Sequence, residues 1–316
     1  PILKTIPKEY FMQIDGIPII RNKRYCLNFN NKNAYNWAME QVSYLIKEYN
    51  LDYLKIDYNI SNGVGCNNDV SSLGDGQLLN NRAFIRWLNE LTSRFPDLTL
   101  ENCSSGGMRQ DYAILSQVAL QSTSDQVDYR YNPYILSGAL ASMIPEQIGM
   151  WAYPVDSRNK IVTDEQVIYN LVTPQLGRIQ LSSYLSKLND KQFNLVKEGV
   201  EFYKKNRMFR KGALPIFPNG LSYWGDSNIA VGLIKDKKIL LSIFNTSPEK
   251  QNIKVNLNKY EIKTIKVGYP KKEKTDFIFN IDGTVDICQN MAGLVLPMLK
   301  AGARVGISKN FCKYII

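Results

Sequence analysis

Histidine is absent from this 316-residue chain. Its absence excludes Ser-His-Asp triads, Cys-His dyads, histidine general bases and imidazole-ligated metals. In an enzyme, carboxylates, Lys, Tyr or Cys would have to move the protons. Cysteine is scarce. The five cysteines at 26, 66, 103, 288 and 312 are odd in number and irregularly spaced, with no C-x-x-C pair. That spacing excludes a disulfide framework and a zinc ribbon. No apolar run reaches the roughly 18 residues that suggest a membrane span, and the opening PILKTIPKEYF contains no apolar leader segment. The expectation is a cytoplasmic protein with no membrane partner. The start at Pro1 without Met points to a portion of a longer chain.

What is present is an ordinary globular composition, 44% hydrophobic and 22% charged, with a net charge of +10. Basic excess can mark nucleic-acid binding. Here the lysines are dispersed, densest over Lys254–Lys274, and no helix-turn-helix or RNA-binding motif accompanies them. No nucleic-acid partner is expected.

The chain changes character once. Up to about residue 210, helix-period and strand-like segments alternate. Residues 33–49 place Ala34, Trp37, Ala38, Val42, Leu45 and Ile46 on one stripe at helical spacing. A second amphipathic helix is expected over 79–95, with Phe84, Trp87, Leu88, Leu91 and Phe95 inward. A short helix is expected near 109–117, and further helices near 133–143, 164–172 and 189–206. Strands are expected at 25–29, 53–57, 98–103, 118–123, 148–153 and 178–182. Six strands separated by helices mean parallel βα units. They suit a doubly wound sheet or most of an eight-stranded barrel. Residues 211–219, with two prolines, read as a linker. Beyond it strands follow one another, at 229–234, 238–244, 251–257, 260–267 and a last pair near 292–308, and predict a small antiparallel β-sandwich. Two domains are therefore expected, 1–210 and 219–316.

Three polar strand ends carry the candidate chemistry. In YLKIDYN, alternation puts Lys55, Asp57 and Asn59 on one face of a strand. In ENCSSGGMRQD, a strand ends at Cys103 and runs into Gly106 and Gly107, where a backbone without side chains can approach a ligand. In QSTSDQVD, a strand runs into Asp125 and Asp128. Each has a bland alternative: a solvated strand end, a tight turn, or a helix N-cap by Ser124 or Asp125. Together, successive strands deliver carboxylates to one rim of a chain without histidine. Paired carboxylates suit glycosidic bond cleavage, one as nucleophile or base and the other as general acid.

These three motifs resemble those of the family 36 α-galactosidases, the melibiases. YLKIDYN is similar to their Lys-Trp-Asp nucleophile motif, with Ile56 in the Trp place. ENCSSGGMRQD resembles their Cys-x-Ser-Gly-Gly-Gly-Arg-x-Asp loop, with Met108 for the third Gly. STSDQVD resembles their Ser-Asp-x-x-Asp acid/base motif. The order agrees, with Asp125 68 positions after Asp57 and 22 after Cys103. Upstream, LNFNN resembles the family's Leu-Asp-Phe-Ser-Asn strand, with Asn28 for Asp.

The resemblance implies a (β/α)8 barrel of the TIM type, incomplete at its N-terminal end, followed by the sandwich. It implies Asp57 as nucleophile and Asp125 as general acid/base of a retaining mechanism. Substrate contacts would come from Lys55, Asn59, Cys103, Gly106, Asp128 and an upstream arginine, taken as Arg21. The partner would be an α-galactoside oligosaccharide or glycoconjugate. No metal or organic cofactor is implied, and a homo-oligomer is left open. An α-N-acetylgalactosaminidase, a galactosyl-transferring relative and a non-catalytic carbohydrate-binding remnant are the alternatives. With the family's first two βα units missing, the isolated chain is expected to have little activity.

Overall fold

The computed structural model describes residues 5–155, 161–271, 277–289 and 293–300. The chain divides into two compact units, Pro1–Ser122 and Thr123–Ile316.

The first unit opens with two small hairpins. Strands β1 (Gln13–Ile14) and β2 (Ile17–Pro18) pair antiparallel around Asp15-Gly16. Both turn residues have positive φ, 51° and 78°, the backbone of a two-residue turn that matches strand twist. Strands β3 (Ile20–Arg21) and β4 (Arg24–Tyr25) repeat the device around Asn22 and Lys23. The strand expected at 25–29 is therefore corrected. Arg24–Tyr25 closes a hairpin, and Leu27 makes only an isolated antiparallel bridge to Phe11. Its apolar residues serve two neighbouring clusters instead of a parallel sheet. Cys26 packs with Met12, Ile19, Ile60 and Cys66, and Leu27 and Phe29 join the helix-covered core.

The parallel part begins with helix α1 (Lys32–Glu48), capped by Asn31, whose side chain accepts from the N–H groups of Asn33 and Ala34. Strand β5 (Tyr53–Asp57), helix α2 (Leu73–Arg94), strand β6 (Thr99–Cys103), short helix α3 (Tyr112–Leu115) and strand β7 (Leu120–Ser122) follow. Strand β6 pairs in parallel with β5 and with β7. Trp87, Leu88 and Leu91 of α2 and Ala38, Met39 and Ile46 of α1 bury against Leu100. Leu45, expected inward, is exposed, and Met39 takes the buried position.

Helix α2 starts six residues before its expected beginning and runs through Gly74 and Gly76. Gly76 is a packing residue. A Cβ there would lie 1.9 Å from the Cys66 carbonyl oxygen.

The second unit continues with α4 (Asn132–Ser142), β8 (Ile148–Ala152), α5 (Asp164–Val172), β9 (Arg178–Leu181) and α6 (Asp190–Arg210). Strands β8 and β9 are parallel. Asn189 and Gln192 form a capping box that starts α6, and Gly199 lets α6 approach Leu171 of α5. At the far end, buried Arg210 lies over the Tyr203 ring and donates to the Gln175 carbonyl. Burial brings its guanidinium pKa down to about 10. Among the described residues no helix is long and apolar enough to cross a membrane.

Two antiparallel sheets complete the unit. Strands β10 (Leu214–Ile216), β11 (Asn228–Lys235), β12 (Lys238–Asn245), β13 (Gln251–Asn256), β14 (Ile262–Ile265), β15 (Phe277–Phe279), β16 (Thr284–Gln289) and β17 (Gly293–Lys300) form them. Their orders are β10-β11-β12-β17-β14 and β13-β16-β15. Ile239, Leu241 and Ile243 of one sheet meet Ile253, Val255, Val285 and Ile287 of the other in a single core. The expected sandwich is present. The expected linker is corrected: Leu214–Ile216 is an edge strand on β11, where Pro215 is tolerated because an edge leaves some N–H positions without a ladder partner. The second strand of the pair expected near 292–308 lies outside the described residues.

Candidate functional site

Parallel register sets the first half of the site. Lys55 lies opposite Glu101, and Asp57 opposite Cys103. Because strand side chains alternate, Tyr53, Lys55 and Asp57 share one face of β5, while Leu54 and Ile56 pack into the helix-covered core. Ile56, in the place of the family's Trp, is thus a core-facing residue.

On the polar face, the Glu101 carboxylate is completely buried and three groups converge on it. The Lys55 ammonium is 3.3 Å from Oε1. The Ser122 hydroxyl donates to Oε1 at 2.9 Å. The Tyr53 hydroxyl donates to Oε2. Burial pulls the Lys55 pKa down, but Glu101, with Cys103 and Asp57, outweighs it and holds the ammonium above its ordinary value. Burial and Glu101 both push the Tyr53 hydroxyl up. Lys55 is therefore a fixed cation beside an exposed carboxylate, Asp57.

The Cys103–Gly107 turn closes this side. Ser105 and Gly106 both adopt left-handed backbone, at φ 47° and 82°. The Ser105 N–H donates to the Asn59 side-chain oxygen at 2.6 Å. Strand β5 ends at Asp57, and Asn59, two residues on, braces the turn. Burial pushes the Cys103 thiol up, and its hydrogen bond to Asp57 adds to the shift. The Gly106 N–H, Ser122 and Lys55 pull the other way. Beneath the turn, Arg109 donates to the Ile60 carbonyl at 2.6 Å, to the Tyr58 carbonyl and to the Ser104 hydroxyl. Its guanidinium also lies 3.8 Å from the Tyr58 ring centroid. Asp111 caps α3.

The other candidate residues make local contacts of their own. Arg21, in the second hairpin, reaches over Gly63. Asp125 and Asp128 belong to the second unit. Asp125 is exposed on the segment after Thr123. Ser124 accepts from the Gln126 N–H. Asp128 accepts from the Arg130 N–H, capping a short 3-10 helix over Tyr129–Tyr131, and holds the Arg130 side chain in a fork at 2.9 and 2.6 Å. The cap suspected of Ser124 or Asp125 is thus supplied by Asp128.

Sequence reasoning gave no role to Glu101, Ser122, Tyr53 or Arg109. A signal existed for Glu101: it is the one acidic residue inside the strand-like stretch Leu98–Cys103, a position that must be buried and therefore paired.

Comparison with known proteins adds the family. The sequence matches the melibiase family over residues 9–212. An α-galactosidase of Escherichia coli is 31% identical over 126 residues, 40% of this chain and 17% of that protein. The α-galactosidase Mel36A of Lactobacillus acidophilus is 23% identical over 213 residues, 63% of this chain and 28% of that one. Among solved structures, variants of the α-galactosidase AgaA from Geobacillus stearothermophilus share the fold. One, in complex with stachyose, has a TM-score of 0.74 at 15% identity, over 94% of this chain and 42% of that one. Another, in complex with raffinose, has a TM-score of 0.72. The chain spans less than half the length of each of these relatives.

Proposed function

The chain belongs to the melibiase family, and we propose that it carries the catalytic carboxylates of a retaining α-galactosidase. In this reading its parallel βα units, within residues 1–210, are part of a (β/α)8 barrel, and 219–316 is the appended sandwich domain. The observation that carries the proposal is the pairing of exposed Asp57 with a lysine locked beside it by buried Glu101, inside the segment that matches the family.

Asp57 attacks the anomeric carbon of a terminal α-linked galactose. The glycosidic C–O bond breaks, and Asp125 gives its proton to the departing oxygen. Water then attacks the galactosyl ester on Asp57 while Asp125 takes the proton back. Lys55 keeps positive charge beside the nucleophile and donates to sugar hydroxyls. The narrow Cys103–Gly106 turn faces the C2 position. With Cys103 and Ser104 buried, it favours galactose over N-acetylgalactosamine, since an acetamido group needs room and polar partners.

The test is turnover of a p-nitrophenyl α-galactoside by the complete protein that contains this chain. Asp57→Ala should abolish it, and azide should restore part by replacing the carboxylate. Asp125→Ala should harm poor leaving groups far more than activated aryl ones. Near-normal turnover by Asp57→Ala overturns the proposal. Binding of galactosides without turnover by the complete protein would favour the carbohydrate-binding alternative.

A further inference from the structure

The second unit carries an aromatic surface that the reaction above does not use. Trp224 is 71% exposed and Tyr223 77% exposed. Yet Trp224 is not loose. One face of its indole stacks on Tyr131, with ring centroids 4.7 Å apart and planes 7° from parallel. Tyr134 leans on it at 5.4 Å.

The loop bearing these residues is fixed from several sides. The Tyr223 N–H donates to the Asp226 carboxylate at 2.7 Å, and the Asp226 N–H returns to the Tyr223 carbonyl. The Asp226 carbonyl accepts from both the Tyr134 and Thr246 hydroxyls at 2.7 Å. Gly225, at φ +99°, takes a backbone that L side chains rarely adopt. The indole is thus held with one face covered and much of its surface in water.

A flat, rigid, half-covered aromatic ring flanked by polar groups fits the C–H face of a pyranose. A sugar buries a small apolar face there while its hydroxyls stay near water. The size also argues against a protein partner. Two aromatic side chains, each of about 150–250 Å² and largely exposed, offer well under the roughly 800 Å² per partner of a stable protein interface.

The position along the chain says which sugar. Tyr131, beneath the indole, ends the 3-10 turn that Asp128 caps, six residues after Asp125. A general acid protonates the leaving oxygen, so its segment stands on the leaving-group side of the scissile bond. We propose that Trp224, stacked on Tyr131, is a carbohydrate-binding platform for the sugar of the leaving group, making the enzyme selective for oligosaccharides over simple α-galactosides. Its leaving-group assignment rests on Asp125 being the acid/base.

The test compares raffinose, whose leaving group is a disaccharide, with α-galactosyl fluoride, whose leaving group has no ring. In Trp224→Ala the ratio of kcat/KM on raffinose to that on the fluoride should fall about 2- to 10-fold, the range of one aromatic stacking contact. Trp224→Phe should recover part of it. An unchanged ratio overturns the proposal. If the complete protein that contains this chain turns over neither substrate, the catalytic reading has failed, and calorimetric titration with raffinose judges the platform alone. Weaker binding by Trp224→Ala, with an unchanged unfolding midpoint, supports the platform, and equal binding overturns it.

Discussion

Replacing Lys55 by Met should destabilise the chain more than replacing Glu101 by Gln, although both break the same ion pair. The two side chains differ in what they are left with. Glu101 is fully buried, while 27% of the Lys55 side chain is exposed. At 3.3 Å and an effective dielectric of about 20, their attraction is about 5 kcal/mol, against which both desolvation penalties stand. Lys55→Met removes the counter-ion of a buried carboxylate that the Tyr53 and Ser122 hydroxyls still meet. A stranded buried charge costs about 3–5 kcal/mol. Glu101→Gln leaves a lysine that can turn to water and an amide that can still meet those hydroxyls. Its cost should be about 1–2 kcal/mol, near that of a disturbed buried hydrogen bond. The double variant Lys55→Met, Glu101→Met removes both charges and should recover part of the Lys55→Met loss, giving a coupling energy of about 2 kcal/mol. Urea unfolding of the four proteins at constant slope measures all of this. If Glu101→Gln costs as much as Lys55→Met, the carboxylate is not the buried, dependent member of the pair, and its role as the anchor of Lys55 is wrong.

Other consequences can be checked separately. Gly76→Ala should cost about 2–3 kcal/mol or more, read from the urea midpoint, because its Cβ would sit 1.9 Å from the Cys66 carbonyl oxygen. Arg109→Lys should lower the unfolding midpoint, since one ammonium cannot span the Tyr58, Ile60 and Ser104 oxygens that the guanidinium fork reaches. Stability should also fall in alkali. Burial raises the thiol pKa values of Cys26, Cys66 and Cys103 above the ordinary 9.0, so their contribution is complete below that value and is lost as pH rises through the folded-state values. A Tm level from pH 6 to 8 and declining above about pH 9 is expected. A Tm that climbs above pH 9 would contradict the burial of these thiols.

Much of the fold was legible because it follows from periodicity. The stripe on α1 and the Trp87, Leu88 and Leu91 face of α2 bury as their spacing requires, and alternating β and α segments lead to parallel pairing. The misreadings share one cause: residues with strong local preferences whose surroundings decide otherwise. Helix α2 begins before its apolar stripe and runs through Gly74 and Gly76, with Gly76 pressed on Cys66. Pro215 looks like a linker, but an edge strand accepts it. The hairpin at Asp15-Gly16 was the opposite case, a strong turn signal in plain view between strands only two residues long. Strands that short have no alternation to read.

The site divides along the same line. Lys55 and Asp57 could be placed on one face because a strand fixes the direction of its side chains. Asn59 lies two residues past the strand, and its partner, the Ser105 N–H, could not be read from the local sequence. Glu101 was hidden for a deeper reason. Its function is to be absent from the surface, and what identifies it is the company of Tyr53, Lys55 and Ser122, residues 48, 46 and 21 positions away. Local sequence shows only a carboxylate in an apolar strand. Burial makes that carboxylate costly unless paired, and pairing it with Lys55 pins the cation beside Asp57. A lysine that merely neighboured Asp57 could rotate into solvent. One anchored from below holds its charge in place, which is why an ion pair of doubtful worth to stability suits the nucleophile role proposed for Asp57.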